Sequence, residues 1–243
     1  MQRCRAMIKL LDISKKYGGK ELFSHFTAEF KEHEVTCILG ASGVGKTTLI
    51  NIIAGIVPPD GGRVVFETDG KERVLRGSYV FQEHRLLPWL DVHDNLELVL
   101  KNVRKSDGRG YTKEERAELI RKQLKLVGLE AYEFSDINEL SGGMVQRVAL
   151  CRAFLYPSEL LFLDEPFKEQ DPKLKDELYE TFFRAYENDP LRRTVLSVTH
   201  DIPEALRLAD TIIILSGSPV KIAGSYEKSE FSEELTEKIK ELL

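Results

Sequence analysis

Apolar positions recur along this chain with two periods, and the exchange between them divides it into three stretches. In the first, short runs alternate with turns. Residues 8–13 read as a strand, Tyr17-Gly18-Gly19-Lys20 as a turn, and residues 26–30 as a half-buried strand, with Phe26, Ala28 and Phe30 on one face. After Glu32-His33-Glu34 comes a continuous apolar run, residues 35–39, the pattern of a strand buried on both faces. Residues 47–54 then read as a helix, and Pro58-Pro59-Asp60-Gly61-Gly62 stops it. Residues 63–67 and 77–81 complete the stretch as two more strands.

From about residue 83 to residue 139 the strand-like runs disappear. Thr112-Lys113-Glu114-Glu115 forms a capping box, Leu119, Ile120, Leu124 and Val127 follow at helical spacing, and Gly128 suits a helix end. The stretch reads as a mostly helical insertion, with residues 101–110 as an exposed loop. From Leu140 strands and helices alternate again. Residues 145–153 are helical. Leu160 to Leu163 form an apolar run that ends in Asp164-Glu165-Pro166. Asp171-Pro172 opens a helix with Leu174, Leu178, Phe182 and Tyr186 on one face. Residues 194–199 are a strand ending at His200-Asp201, residues 204–209 a short helix, and residues 212–215 a strand. Residues 232–243 form an amphipathic packing helix with Leu235, Ile239 and Leu242 on its apolar side.

Alternating strands and helices predict an α/β fold with a mainly parallel sheet covered on both faces. Ligand loops in such sheets sit at the carboxyl ends of strands. Three chemistry-bearing segments follow predicted strands: the loop after residue 39, Asp164-Glu165, and His200. One sheet edge gathers all three.

Composition changes little in this picture. The chain has 243 residues, 42% hydrophobic and 31% charged, as in an ordinary globular protein. The net charge of -5 supplies no global attraction to nucleic acid. Cys4, Cys37 and Cys151 are scattered, which points to a reducing compartment and to neither a disulfide framework nor a metal site. No apolar run approaches the roughly 20 residues of a membrane span. The N-terminus is basic without an apolar signal core, and Met7 is an alternative start. No sizeable domain is expected after Leu243.

The loop after residue 39 is Gly40-Ala41-Ser42-Gly43-Val44-Gly45-Lys46-Thr47, followed by Thr48. Strand, glycine loop and helix together make a phosphate cradle: backbone N–H groups wrap the anion, and the helix N-terminus points at it. Lys46 reaches the β- and γ-phosphates, and the Thr47 hydroxyl ligates Mg²⁺. Asp164 lies where its carboxylate meets the metal region, and Glu165 where it holds an attacking water. Taken singly, an Asp-Glu after a strand is also an ordinary turn. Ser141-Gly142-Gly143, at another helix start, presents N–H groups and a hydroxyl that grip a second face of a phosphate. Alone, that triplet also reads as a linker. His25, His33, His84 and His93 have no ligand-like spacing and read as structural or surface residues.

In combination these segments resemble the nucleotide-binding subunit of ATP-binding-cassette (ABC) transporters over nearly the whole chain. Gly40 to Thr47 match the family's Walker A, Gln82 its Q-loop, Leu140-Ser141-Gly142-Gly143-Met144 its signature, and residues 160–165 its Walker B with the catalytic Glu165. Tyr17 matches the aromatic residue that stacks on adenine, Asp171 the D-loop, and His200 the switch histidine. Two positions depart from the pattern. The signature ends in Met144 instead of Gln, and the D-loop reads Lys168-Glu169-Gln170-Asp171, charged where the family is small and apolar. The segment Leu86-Leu87-Pro88-Trp89-Leu90 looks like that of importers for nitrate, sulfonate, taurine and thiamine precursors.

The resemblance implies a P-loop NTPase (RecA-like) core formed by residues 1–82 and 140–243. It adds an antiparallel β sub-domain near the N-terminus and a helical sub-domain at residues 83–139. It implies ATP hydrolysis with Mg²⁺ held by Thr47, Gln82 and Asp164, catalysis by Lys46, Gln82, Glu165 and His200, and a head-to-tail dimer, of identical or pseudo-symmetric subunits, in which Ser141-Gly142-Gly143 of one copy completes the site of the other. An integral membrane permease would dock near the helical sub-domain, at Trp89 among other residues, and receive solute from a periplasmic or lipoprotein binding protein. The subunit would sit on the cytoplasmic face of the membrane without binding nucleic acid. The alternative is a soluble ABC ATPase not engaged in transport. The long coiled-coil insertion of repair members and the second cassette of translation factors do not occur in this sequence.

Overall fold

The computed structural model describes residues 6–68, 71–105, 107–168 and 171–243. Its first elements are β1 (Ala6–Tyr17), β2 (Lys20–Lys31), β3 (Val35–Gly40), α1 (Lys46–Ile53), β4 (Gly61–Thr68), β5 (Lys71–Glu72) and β6 (Gly77–Val80). Then come α2 (Val92–Leu100), α3 (Lys113–Leu126), α4 (Gly142–Leu155), β7 (Leu160–Asp164) and α5 (Pro172–Glu187). β8 (Thr194–Thr199), α6 (Ile202–Leu208), β9 (Thr211–Ser216), β10 (Lys221–Glu227) and α7 (Glu233–Leu242) complete the chain. Packing sorts the elements into two compact units.

The first unit takes in the chain up to Gly77, Phe162–Glu165 and Arg193–Leu243. It contains an antiparallel sheet in the order β2-β1-β4-β5 and the strands β10-β9-β3-β8-β7 of a second sheet. β3 is central to the second sheet. All six of its residues are buried, and it pairs in parallel with β8 on one side and β9 on the other. A strand buried on both faces must satisfy its backbone groups within the sheet, and the parallel partners do so. Asp210 locks the entry: Val35 N–H donates to its carboxylate at 2.9 Å, and its own N–H donates to Val35 O at 2.8 Å. β1 and β2 run longer than the apolar pattern predicts. Bulges with Asp12 and His25 at positive φ carry the pairing past polar positions, and Gly18 and Gly19, both at positive φ, close the hairpin. β10 escapes the hydrophobic pattern because it is an exposed edge strand paired only with β9. α7 packs through Leu235 and Ile239, as expected.

The second unit holds residues 78–161 and 166–192. The insertion expected at residues 83–139 falls inside it, together with α4 and α5. Its core joins Leu96 and Leu100 of α2, Ile120 and Leu124 of α3, and Val148 of α4, each at most 2% exposed. α3 begins with the predicted capping box: Glu115 N–H donates to Thr112 Oγ1, and Thr112 N–H donates to Glu115 Oε2. Among the described residues no helix is long and apolar enough to cross a membrane.

Removing the Leu124 side chain opens a cavity at the centre of this helical core. Leu124→Ala is expected to cost about 2–5 kcal/mol, read as a lower urea midpoint of the helical circular-dichroism signal.

Candidate functional site

The loop between β3 and α1 is shaped by its own glycines. Gly45 is the N-cap of α1 at φ 112°, a backbone region that side chains resist, and a Cβ there would meet Leu22 at 3.1 Å. At Gly40 a Cβ would lie 2.7 Å from Val44 and 2.8 Å from Leu215 O. Leu22 and Leu215 thus leave no room for a side chain at these two glycines. Val44 N–H returns to Ala41 O at 3.2 Å, and Leu49 N–H starts the helix on Gly45 O at 2.9 Å. Lys46 is buried. Its ammonium spans the mouth of the loop, donating to Gly40 O at 2.7 Å and to Ala41 O at 3.0 Å. A helix N-terminus and a buried cation beside the loop suit an anion such as a polyphosphate.

The strand ends bring acids to the same loop. Thr47 Oγ1 donates to Asp164 Oδ1 at 2.9 Å, with Asp164 only 6% exposed at the end of β7. A hydroxyl and a carboxylate in contact are a hard oxygen donor pair of the kind Mg²⁺ prefers. Glu165 takes a positive φ of 46° and donates its N–H to Val198 O at 3.0 Å. That left-handed turn costs about 1–3 kcal/mol for a residue with a Cβ. It swings the carboxylate off the strand axis toward His200, whose Nδ1 lies 3.2 Å from Glu165 Oε1. An ionised carboxylate only accepts, so the imidazole donates through Nδ1.

Lys46, Thr47, Asp164, Glu165 and His200 all lie in the first unit, where Thr47 meets Asp164 and Glu165 meets His200. Tyr17 lies in the same unit, at the β1–β2 hairpin, 51% exposed. Gln82 and Ser141-Gly142-Gly143 belong to the second unit. Ser141 is the N-cap of α4, and Met144 N–H donates to its hydroxyl at 3.4 Å. Gly143 is packed so tightly that a Cβ would lie 2.6 Å from Leu174 Cδ1. In the D-loop, Glu169 and Gln170 lie outside the described residues; Asp171 caps α5 by accepting from Leu174 N–H at 3.1 Å.

The second unit also carries a groove of about 400 Å³ lined by Tyr79, Phe81, Arg85, Leu87, Leu98 and Arg152. The Arg85 guanidinium stacks on Phe81 at 3.8 Å, and Arg152 donates to His84 O and Arg85 O at 2.7 and 2.6 Å. Burial, and then the Arg152 charge, push the His84 imidazole below its usual value. Asn95 holds the next loop. It donates to the carbonyls of Leu87, Leu90 and Asp91 and accepts from Leu87 N–H at 2.7 Å. Trp89, on that loop, is 74% exposed. The roles of Arg152 and Asn95 escape sequence reading. Their partners are backbone groups, which leave no residue signature.

A family profile described as ABC transporter matches residues 23–168. The spermidine/putrescine import ATP-binding protein PotA of Bacteroides fragilis is 36% identical over 231 residues, covering 93% of this chain and 48% of that protein. The chain thus spans about half the length of that relative. The taurine import ATP-binding protein TauB of Escherichia coli K12 is 36% identical over 221 residues, covering 89% of this chain and 82% of TauB. Among solved structures, the ATP-binding cassette MJ0796, a dimer in a post-hydrolysis state bound to ADP and Pi, superposes with a TM-score of 0.75 at 28% identity. That likeness covers 93% of this chain and 100% of MJ0796.

The buried ammonium gives a direct test. Lys46→Ala is expected to weaken ATP binding by roughly 10–100-fold in calorimetry, the loss of one or two charge-assisted bonds, with little change in melting temperature. An unchanged dissociation constant would mean that the ammonium does not meet the nucleotide.

Proposed function

The chain belongs to the ATP-binding cassette family, whose ATPase fold it carries, and we propose that it is the ATP-hydrolysing subunit of an importer, acting as a head-to-tail dimer beneath a membrane permease. The observation that carries the reading is the Thr47–Asp164 contact beside the buried Lys46, with the next residue, Glu165, held against His200. In this reading the Gly40–Thr48 segment cradles the phosphates and Tyr17 stacks on adenine. Mg²⁺ would be held by Thr47 and Asp164, with Gln82 retained as a ligand on the family resemblance; when bound it neutralises charge on the β- and γ-phosphates. Lys46 adds a second fixed positive charge for the transition state. Glu165 accepts a hydrogen bond from the attacking water and draws off its proton as the water oxygen bonds to Pγ and the bridging oxygen leaves with ADP. His200 holds that carboxylate in place through Nδ1 and steadies the γ-phosphate.

Ser141-Gly142-Gly143 would complete the site of the second copy, a reading supported by the dimeric state described for MJ0796 and by the α4 N-terminus behind that triplet. Met144 contributes its backbone N–H to the cap, and its side chain packs against the helical core, so the departure from Gln leaves the phosphate-gripping triplet intact. The apolar groove beside Gln82 would receive the permease, which passes on solute delivered by an external binding protein. In this reading the subunit sits at the cytoplasmic face of the membrane. For the solute we favour a small anionic or nitrogen- or sulfur-containing compound or a thiamine precursor, supported by the Leu87-Pro88-Trp89 segment and by the TauB relative. PotA, equally identical, makes a polyamine the competing outcome. Uptake of taurine, nitrate and putrescine by cells with and without the gene distinguishes them. Unimpaired uptake together with no bound permease would favour a soluble ATPase.

Glu165→Gln is expected to bind ATP within about twofold of wild type and to lose roughly 10²–10⁴ in turnover, as removal of a general base does. Normal turnover in a Mg-ATPase assay would remove Glu165 from that role. Hydrolysis is also expected to rise more steeply than linearly with protein concentration when dilute, and strict linearity down to nanomolar protein would count against the shared site.

A further inference from the structure

We propose that Asp60 is a positioning residue for Tyr17, and through it for the purine base; the proposal rests on the reading of Tyr17 as the stacking aromatic. In the sequence Asp60 reads only as part of a helix stop. In the structure it grips the three residues that precede Tyr17. Its N–H donates to Ser14 O at 2.8 Å. Its carboxylate accepts from Lys15 Nζ at 2.9 Å and from the Lys16 N–H at 2.7 Å. Lys15 Nζ donates again to Pro58 O at 2.8 Å.

These bonds stand where strand pairing stops. β4 pairs with β1 only as far as Ser14↔Gly61, with a register shift just before that pair. Beyond it, residues 15–17 have β2 as their one strand partner, through a ladder that is itself irregular. The Asp60 carboxylate takes the Lys16 N–H as a continued β4 would have done. The Lys15 ammonium, only 9% of that residue being exposed, is fixed 5.5 Å from the centre of the Tyr17 ring. A ring held by a cation and a pinned backbone loses less freedom when a base stacks on it, so more of the stacking energy appears as affinity. The Lys15 hydrogen bond, and then the Lys16 N–H, hold the Asp60 carboxyl below its ordinary value, so the ties persist further into acid than those of an ordinary aspartate.

Asp60 also follows α1, which starts from the phosphate loop, so a purely structural tie would disturb phosphate binding as well. That difference sets the test. Calorimetric titrations compare Mg-ATP with inorganic Mg-tripolyphosphate on wild type, Asp60→Ala, Asp60→Asn, Tyr17→Ala and the Asp60→Ala/Tyr17→Ala double variant. Asp60→Ala is expected to weaken ATP roughly 3–10-fold, a part of one base–aromatic stacking contribution, with tripolyphosphate within about twofold. Asp60→Asn, which still accepts from Lys16, should fall between. In the Tyr17→Ala background, Asp60→Ala should add no further loss. Equal losses for both ligands, additive losses in the double variant, or unchanged ATP affinity in Asp60→Ala when Tyr17→Ala weakens it would overturn the proposal alone. Unchanged ATP affinity in Tyr17→Ala would overturn the stacking reading and the proposal with it.

Discussion

β3 is buried along its whole length, and a buried strand cannot leave backbone groups unpaired. This constraint orders the first unit. It requires a strand on each side, and β8 and β9 fill both places in parallel. Parallel strands end at the same edge, so the loop after β3 and His200 after β8 emerge together. Asp164 at the end of β7 reaches Thr47 from that edge. The chemistry at the loop is thus a consequence of satisfying β3, and the Asp210 clamp at its entry serves the same requirement.

The second unit answers a different demand. Its helices bury one common core, and what they present outward is held mainly by side-chain bonds to backbone carbonyls. The Arg152 and Asn95 contacts hold the loop that runs from β6 to α2. Trp89, exposed on that loop, therefore occupies a defined position although no regular element carries it.

Much of this was legible in the residue pattern. The run 35–39, the glycine loop, the apolar end of β7 and the capping box at Thr112 each encode their structure locally, through burial, steric need or reciprocal bonds. The gathering of Glu165 and His200 followed from strand order in an α/β sheet. β10 and the outer halves of β1 and β2 were not legible, because edge pairing is satisfied by backbone and leaves polar, unpatterned side chains. The left-handed turn at Glu165 was equally silent: nothing near it favours positive φ, and Val198 imposes the turn from another strand. Asp60 belonged to a segment whose prolines and glycines already explained a turn, which masked its carboxylate.

Asn95 sits 1% exposed and ties the carbonyls of Leu87, Leu90 and Asp91 to α2. The shape of that loop is consequently written from within, chiefly by that amide, with Asn138 adding a bond to Pro88 O at 3.0 Å. Outward side chains such as Trp89 are tenants of a frame they do not build. Exchanging such a side chain leaves in place the bonds that shape the loop displaying it.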